Sequence, residues 1–153
     1  MHKHINALYI DDEKSNLTSF KAAFRRSFNI FLAQSASEGL QVLRNNEVHV
    51  ILTDQRMPEK TGVEFLSSIL EEFPNAIRIL VTGYTDMEAL VDAVNKGHIF
   101  KYISKPWDNE KLKEIIIKAY EIYQLQTENQ EINEKLAQAN EQLEFMLRQK
   151  LLS

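Results

Sequence analysis

The sequence predicts an α/β fold in which five parallel strands alternate with five helices. Short runs of apolar and β-branched residues recur along the chain, and polar or turn-forming residues bound each run. Between these runs, apolar residues recur three and four positions apart, which is the spacing of an amphipathic helix. Strands and helices that alternate in this way form a parallel sheet with helices on both faces, and right-handed connections leave few topologies.

Five segments have the length and the apolar character of buried strands. In chain order they are residues 5–10, 28–33, 48–53, 77–81 and 99–103. The third strand runs directly into Asp54, which therefore lies at the edge where ligands bind in open α/β sheets. An aspartate that only opens a turn is the alternative when this residue is considered alone.

The first two helices follow the first two strands. The first covers residues 14–27, and its apolar residues lie at helical spacing: Leu17, Phe20 and Phe24. Ser35 and Glu38 have the spacing of a capping box, which predicts the start of the second helix. Leu40 and Leu43 carry the apolar face of that helix.

The third and fourth helices begin at similar signals. Thr61 and Glu64 form another possible capping box. The apolar residues that follow match the spacing i, i+3, i+4 and i+7: Leu66, Ile69, Leu70 and Phe73. Pro74 then ends the third helix. Residues 85–97 contain a third capping signal and a terminal glycine, and they predict the fourth helix.

The last helix begins near Trp107 and Asp108 and has no obvious end, since neither glycine nor proline occurs after Pro106. If helical to the end, it would be about 65 Å long at 1.5 Å per residue, longer than its own domain is wide. Beyond about Gln124 the composition turns to polar residues with few apolar ones, so this part cannot bury itself on the domain. We therefore predict one domain at residues 1–124 and a helical extension at residues 125–153.

The extension carries a heptad pattern that is typical of a short coiled coil. The residues expected at its dimer seam are Ile122, Leu125, Asn129, Ile132, Leu136, Leu143 and Met146. Asn129, Ala139 and Lys150 weaken this seam, and a polar, partly disordered tail is the alternative. Asn129 lies at an a position, where a single buried asparagine favours a parallel, in-register pair. We therefore expect a parallel homodimer.

The overall composition is that of an ordinary soluble protein, with 44% hydrophobic and 26% charged residues in a chain of 153. The net charge of -4 gives no sign of direct nucleic-acid binding by bulk electrostatics. The sequence contains no cysteine, which excludes a disulfide framework and thiolate chemistry. It shows neither a signal peptide nor an apolar run of membrane-spanning length, so a cytoplasmic protein is the default expectation.

Polar residues follow four of the five predicted strands, and in a parallel sheet they meet at one edge. They are Asp11, Asp12, Asp54, Thr82 and Lys105. Three carboxylates close together repel one another, and oxygen ligands without histidine or cysteine favour Mg²⁺ over zinc as the ion that relieves this repulsion. The lysine suits a phosphate oxygen, and the threonine hydroxyl can donate to another. Asp54 is then a plausible nucleophile, because carboxylates form aspartyl-phosphate intermediates.

At this point the sequence resembles the receiver domain of bacterial two-component response regulators, a CheY-like domain. The resemblance is carried by residues 8–13, residues 52–58 with Gly62, residues 81–83 and residues 102–106. These segments occur in the expected order and each has the expected strand context. The resemblance covers about residues 4–124.

The resemblance implies a flavodoxin-like fold with strand order 2-1-3-4-5. It implies that Asp54 accepts a phosphoryl group from a histidine kinase, a phosphotransfer protein or a small phosphodonor. It further implies that Asp12, Asp54 and the backbone carbonyl of Arg56 bind Mg²⁺ directly. Asp11 would bind the ion through water.

The resemblance also implies roles for residues near the phosphoryl group. Lys105 and Thr82 would contact it, and Tyr102 would be the switch aromatic, which turns inward as Thr82 moves toward the phosphate. A half-buried strand aromatic is the alternative for Tyr102. Arg56 and Tyr84 lie where their side chains can cover the phosphoryl group and tune its lifetime.

The function expected from the resemblance is a signalling switch that assists its own phosphorylation and dephosphorylation, not an enzyme. The signal would pass through the last helix and the dimer to an output module or partner beyond Ser153. An aspartyl-phosphate phosphatase or phosphotransferase is an alternative, but it would need a second acid or base beside Asp54. A flavin-binding module would need a phosphate loop where the acidic residues 11–13 stand.

The Lys105–Pro106 peptide bond is predicted to be cis. Lys105 must leave its strand and turn back over the site before the last helix begins. An X-Pro bond makes the cis form accessible at about 0.5–1 kcal/mol, and cis prolines occur mainly in tight turns. The resemblance implies the same conformation.

Overall fold

A five-stranded parallel sheet forms the centre of the fold, with the strand order β2-β1-β3-β4-β5. The structure is a computed structural model, and it describes residues 2–83 and 99–153. The strands are β1 (Asn6–Ile10), β2 (Asn29–Ala33), β3 (Val50–Asp54), β4 (Ile77–Thr82) and β5 (Lys101–Ser104). All neighbouring strands pair in parallel. The predicted strand order is therefore confirmed.

Four helices occur in the part of the chain that the structure describes. They are α1 (Lys14–Phe24), α2 (Ala36–Asn45), α3 (Gly62–Ser68) and α4 (Asn109–Leu152). The helix predicted at residues 85–97 lies outside the described residues, as do Tyr84 and His98. None of the described helices is both long enough and apolar enough to cross a membrane.

Two hydrophobic cores lie on opposite faces of the sheet, because successive side chains of a strand point to opposite faces. Ala7 and Tyr9 of β1 enter the first core, while Leu8 and Ile10 enter the second. Helices α1 and α4 contribute to the first core through Leu17, Phe20, Phe24, Leu112, Ile116 and Ala119. Helices α2 and α3 contribute to the second through Leu43, Phe65 and Leu66. The central strands are buried on both faces, which explains their continuous apolar sequences.

The capping box at the start of α3 is complete. The backbone N–H of Glu64 donates to Thr61 Oγ1 at 3.2 Å, and the N–H of Thr61 donates to Glu64 Oε1 at 3.3 Å. The second box, at α2, forms only one of the two predicted bonds. Glu38 N–H donates to Ser35 Oγ at 3.1 Å, but the Glu38 carboxylate accepts from Gln34 N–H at 2.7 Å. The carboxylate reaches one residue further back than the pattern predicts.

Helix α3 is shorter than its apolar spacing predicts. The prediction extended to Phe73, whereas the helix ends at Ser68. Ile69 has φ -99° and ψ 0°, so its backbone has left the helical region. The helical spacing continues because the next turn is closed by one helix-like bond, from Phe73 N–H to the carbonyl of Ile69 at 2.9 Å.

The chain divides into two compact units, Met1–Tyr123 and Gln124–Ser153. Helix α4 contributes to both. Ile122, near the end of the first unit, is half-buried against the first core. In the second unit every residue from Glu128 to Ser153 is exposed.

An aromatic cluster lies before the first residue of β3, at the opposite end of the strands from Asp54. His49 is 7% exposed, and its ring lies 4.9 Å from that of Tyr120 and 4.8 Å from that of Tyr123, both on α4. Its Nδ1 accepts the backbone N–H of Asn6 at 2.9 Å, while its Nε2 lies 3.4 Å from the Glu47 carboxylate. Since Nδ1 accepts, the arrangement requires a neutral ring with its proton on Nε2.

We expect His49 to make the fold sensitive to mild acid. Burial lowers the pKa of His49, Glu47 opposes this effect, and His4 adds to it. Because the folded pKa lies below the unfolded value of about 6.5, the unfolded chain takes up protons first as pH falls. The contribution of His49 is complete above that pH and is lost progressively below it. Urea unfolding at a series of pH values from 7.5 to 5 measures this loss.

The matched control for this experiment is His49→Gln, which keeps an acceptor for the Asn6 N–H but does not titrate. The free energy of unfolding of this variant should fall less steeply between pH 7 and 5 than that of the unchanged chain. Equal slopes would show that other groups cause the pH dependence.

Gly62 lies where the chain has no room for a side chain. A Cβ atom at this position would lie 2.4 Å from the carbonyl oxygen of Asp54 and 2.8 Å from Leu80 Cδ1. The Asp54 oxygen belongs to the backbone of β3, so it cannot move aside as a flexible side chain can. We expect Gly62→Ala to lower the free energy of unfolding by roughly 1–3 kcal/mol, the usual cost of overpacking.

Gly83→Ala is the matched control, because a Cβ atom there would meet no heavy atom of the described residues within 4 Å. Urea unfolding of the two variants should separate them clearly. If both alanines changed stability equally, the close approach at Gly62 would not be the cause.

Candidate functional site

Three carboxylates converge at the carboxyl edge of the sheet. Asp11 and Asp12 follow β1, and Asp54 is the last residue of β3. One carboxylate oxygen from each residue lies within 4.8 Å of the others. Asp11 is buried and Asp12 is exposed, while the side chain of Asp54 is 14% exposed. The neighbouring strands β1 and β3 therefore bring these acids together, as the sequence predicts.

Lys105 lies between two of these carboxylates. Its Nζ is 3.2 Å from Asp54 Oδ1 and 3.3 Å from Asp11 Oδ2. Its backbone N–H donates to the carbonyl of Thr82 at 2.9 Å, which ties the end of β5 to the end of β4. The Lys105–Pro106 peptide bond is cis, so that prediction is confirmed.

The charges of the site are unevenly matched, because one lysine serves two acids. Burial raises the pKa of Asp54, Lys105 lowers it, and the charge of Asp11 raises it again, so the pKa lies above its ordinary value. Burial lowers the pKa of Lys105, but Asp54 and Asp11 outweigh burial and the pKa is raised. Lys105 therefore remains protonated, and Asp54 is an unusually basic carboxylate for its type.

Asp11 is the most completely bonded of the three acids. Its Oδ1 accepts Glu13 N–H at 2.9 Å, and its Oδ2 accepts the Tyr9 hydroxyl at 2.8 Å and Asn16 Nδ2 at 3.0 Å. Burial would raise the pKa of Asp11, but these hydrogen bonds and Lys105 hold it below its ordinary value. Asp11 therefore carries its charge although it is fully buried.

Thr82 and Tyr102 occupy different positions relative to these groups. Thr82 ends β4 and is 1% exposed, and its hydroxyl donates to the carbonyl of Gly83 at 3.3 Å. Tyr102 pairs with Leu80 in the register of β4 and β5, and 42% of its surface is exposed. The structure thus brings Thr82 to the site, while Tyr102 lies outside it.

A cleft of about 360 Å³ opens over the carboxylates. Its lining residues are Asp12, Glu13, Asp54, Gln55, Arg56, Thr82, Gly83 and Lys105. Most of these residues belong to the site predicted from the sequence. Glu13 and Gln55 are additions to which the sequence assigned no role, and Arg56 is exposed at the cleft.

Gln55 shapes the loop that follows Asp54. Its backbone N–H donates to Val81 O at 3.0 Å, and its backbone carbonyl accepts Gly62 N–H at 3.0 Å. Its side-chain Oε1 accepts Val63 N–H at 3.0 Å, near the start of α3. These bonds close the loop that carries Arg56. No sequence motif predicts that Gln55 closes this loop, because the bonds form only when the loop folds back onto Gln55.

The donor set at the site fits a hard divalent cation. Its ligand atoms are carboxylate oxygens, and neither histidine nor cysteine lines the described part of the cleft. Three acids facing a single lysine leave an excess of negative charge that such an ion would neutralise. The four hydrogen-bond donors around Asp11 leave little room for direct coordination there, so this residue suits an ion that it contacts through water.

Comparison with known proteins relates this geometry to one family. The model of the response regulator receiver domain matches residues 7–117. The hydrogenase transcriptional regulatory protein HoxA of Cupriavidus necator is 35% identical over 151 residues, which are 99% of this chain and 31% of that protein. HoxA of Bradyrhizobium diazoefficiens is 33% identical over 80% of this chain and 25% of its own length. The chain thus spans less than a third of these curated relatives.

The solved structures agree with the family model. A CheY-like response regulator receiver domain from Methanospirillum hungatei superposes with a TM-score of 0.72 at 28% identity. The match covers 80% of this chain and 98% of that one. With the strand order, the convergent acids and the lysine after β5, these similarities show that the chain belongs to the response regulator receiver domain family.

Proposed function

We propose that this chain is a phosphorylation-dependent switch in which Asp54 accepts a phosphoryl group. The donor would be a histidine kinase, a phosphotransfer protein or a small phosphodonor. One observation carries the proposal: Asp54 Oδ1 lies at the end of a rigid strand, 3.2 Å from Lys105 Nζ and beside two further carboxylates. A nucleophile placed next to a cation and a candidate metal site is the arrangement that phosphoryl transfer requires.

The transfer exchanges one bond to phosphorus for another. A carboxylate oxygen of Asp54 forms the new P–O bond, and the bond from phosphorus to the donor breaks. With a phosphohistidine donor the leaving group is the imidazole nitrogen, and with acetyl phosphate it is acetate.

We propose Mg²⁺ as the cofactor of this step. Asp12, Asp54 and the backbone carbonyl of Arg56 would hold the ion directly, and Asp11 would hold it through water. When bound, Mg²⁺ supplies positive charge that offsets the repulsion between the carboxylates and the phosphoryl oxygens. The bonds made by Gln55 support the role of Arg56, because they fix the loop that carries its carbonyl.

Lys105 and Thr82 are proposed to bind the phosphoryl group once it is attached to Asp54. Lys105 Nζ is already within 3.2 Å of the accepting carboxylate, so a short movement reaches a phosphoryl oxygen. Among the described residues, the Thr82 hydroxyl donates a long 3.3 Å bond to the carbonyl of Gly83, which it can exchange for a bond to the phosphate. The exposed ring of Tyr102 would then turn inward as Thr82 moves.

The signal is proposed to leave the domain through α4. Residues 1–124 would act as the receiver, and residues 125–153 would form a helical extension that leads to an output module or partner beyond Ser153. The relatives named above are transcriptional regulators of which this chain spans less than a third. We therefore propose a signalling receiver that assists its own phosphorylation and dephosphorylation and that acts on an output module or a partner.

The extension is proposed to pair in parallel with a second copy of itself. Its seam residues are all more than half exposed: Leu125, Ile132, Leu136, Leu143 and Met146. Asn129 also lies on this seam, and two such amides bond each other only in a parallel, in-register pair. An antiparallel or shifted pair would bury an unsatisfied amide, at a cost of roughly 1–3 kcal/mol. Ile122 packs against the first core, so the seam begins in effect at Leu125.

We expect Asp54→Asn to abolish phosphoryl uptake and to leave the fold unchanged. The amide cannot act as the nucleophile, but it has nearly the same shape as the carboxylate. Intact-mass measurement after incubation with acetyl phosphate and Mg²⁺ tests this. Glu13→Gln, at an acid that also lines the cleft, should still gain the mass of one phosphate. A phosphate gained by Asp54→Asn would rule out Asp54 as the sole acceptor.

We expect Asn129→Ile to strengthen association and to loosen its specificity. An isoleucine at position a buries more apolar surface, but it no longer selects two chains in one register. Sedimentation velocity across a concentration series measures both effects. The control is Gln138→Ile, which places the same side chain at a c position outside the seam. This variant should associate as strongly as the unchanged chain. A strictly monomeric chain at high concentration would contradict the coiled coil.

A further inference from the structure

The carboxylate of Asp11 accepts more hydrogen bonds than its pairing with Lys105 requires. The side chain is only 1% exposed, and Lys105 Nζ lies 3.3 Å from Oδ2. The same oxygen accepts the Tyr9 hydroxyl at 2.8 Å and Asn16 Nδ2 at 3.0 Å. Lys105 therefore makes the longest of the three contacts to this atom.

The additional hydrogen bonds to Asp11 matter because the proposed function requires Lys105 to move. Lys105 now divides its charge between Asp11 and Asp54, and it must turn toward a phosphoryl group on Asp54. A buried carboxylate that loses its cation and keeps no other donors is strongly destabilised. Asp11 escapes this penalty, since Tyr9, Asn16 and the Glu13 N–H continue to bond it when Lys105 leaves.

Tyr9 is well suited to hold Asp11, because its own ring cannot move freely. Tyr9 is fully buried in β1. Its ring stacks on Phe20 with a centroid distance of 4.3 Å, and it forms a T-shaped contact with Trp107 at a centroid distance of 6.3 Å. These aromatic contacts and its burial restrict the Tyr9 ring, so its hydroxyl stays directed at Asp11 without help from the lysine.

We propose that Tyr9 and Asn16 are positioning residues that hold the charge of Asp11 and thereby release Lys105 to bind the phosphoryl group. This rests on the proposed function for the destination of Lys105. The hydrogen-bond arrangement around Asp11 stands independently of it. Neither residue touches the reacting atoms, and both act through the lysine.

A double-mutant cycle on the unphosphorylated chain tests the first half of this proposal. Lys105→Met removes the cation and keeps most of the apolar stem. When Lys105→Met is made in the otherwise unchanged chain, Asp11 keeps its other hydrogen-bond donors. When it is made in the Tyr9→Phe background, Asp11 has also lost its shortest hydrogen bond. The factor by which Lys105→Met raises the unfolding equilibrium constant should be roughly ten-fold larger in the Tyr9→Phe background.

The control background is Tyr123→Phe, which removes a tyrosine hydroxyl at the other end of the strands, 3.4 Å from Glu47. In the Tyr123→Phe background, Lys105→Met should raise the unfolding equilibrium constant by the same factor as in the unchanged chain. If Tyr9→Phe does not fold, Asn16→Ala at the half-exposed Asn16 carries the same cycle. A factor that is equal or smaller in the Tyr9→Phe or Asn16→Ala background would overturn the proposal.

Phosphoryl uptake from acetyl phosphate with Mg²⁺, followed by intact mass, tests the second half. Tyr9→Phe should slow uptake by roughly ten-fold when Lys105 is present and should have no further effect in Lys105→Met. Equal slowing in both backgrounds would show that Tyr9 does not act through the lysine, and unchanged uptake in Tyr9→Phe would also overturn the proposal. Failure of the unchanged chain to take up phosphate would refute the proposed function itself, while the unfolding cycle would still decide how Asp11 is held.

Discussion

Two buried or half-buried carboxylates share one lysine at the carboxyl edge of the sheet, and much of the structure serves to hold that arrangement. Asp54 and Asp11 come from adjacent strands, so their separation is set by the β1–β3 pairing. Lys105 reaches them because its backbone N–H is tied to Thr82 at the end of β4. The rigidity of the parallel sheet therefore keeps like charges close, at a distance that the side chains alone would not maintain.

The uneven sharing of that lysine gives the two acids different properties. Asp11 has many donors and a lowered pKa, whereas Asp54 has few and a raised one. Because of their surroundings, Asp11 keeps its negative charge, whereas Asp54 has a more basic carboxylate. The division follows from the hydrogen-bond donors, since Glu13 N–H, Tyr9 and Asn16 bond Asp11 and outweigh its burial, whereas burial prevails at Asp54.

The strands and the convergent residues could be predicted from the sequence because they depend on local patterns. An apolar run that ends in an aspartate fixes both the strand and the place of Asp54. The complete capping box at Thr61 depends on two residues three apart, and it too was predictable. The alternation of strands and helices was enough to place four strand ends at one edge.

Features that depend on long-range packing could not be predicted in this way. Helix α3 ends at Ser68, but the helical spacing of apolar residues continues to Phe73 and therefore does not predict this end. The bonds from Gln55 to Gly62 and Val63 exist only once the loop has closed. Tyr9 resembles any strand aromatic in the sequence, and only the position of Asp11 two residues later gives its hydroxyl a partner.

The packing around Tyr9 has an optical consequence. Trp107 is the only tryptophan in the sequence, and its ring lies 6.3 Å from those of Tyr9 and Phe20, two residues after Lys105. Its Nε1–H donates to Asn109 Oδ1 at 3.0 Å, at the first residue of α4. Along the chain, the indole therefore lies between the lysine and the first turn of α4. Its fluorescence emission is a built-in reporter of both, readable without any attached dye.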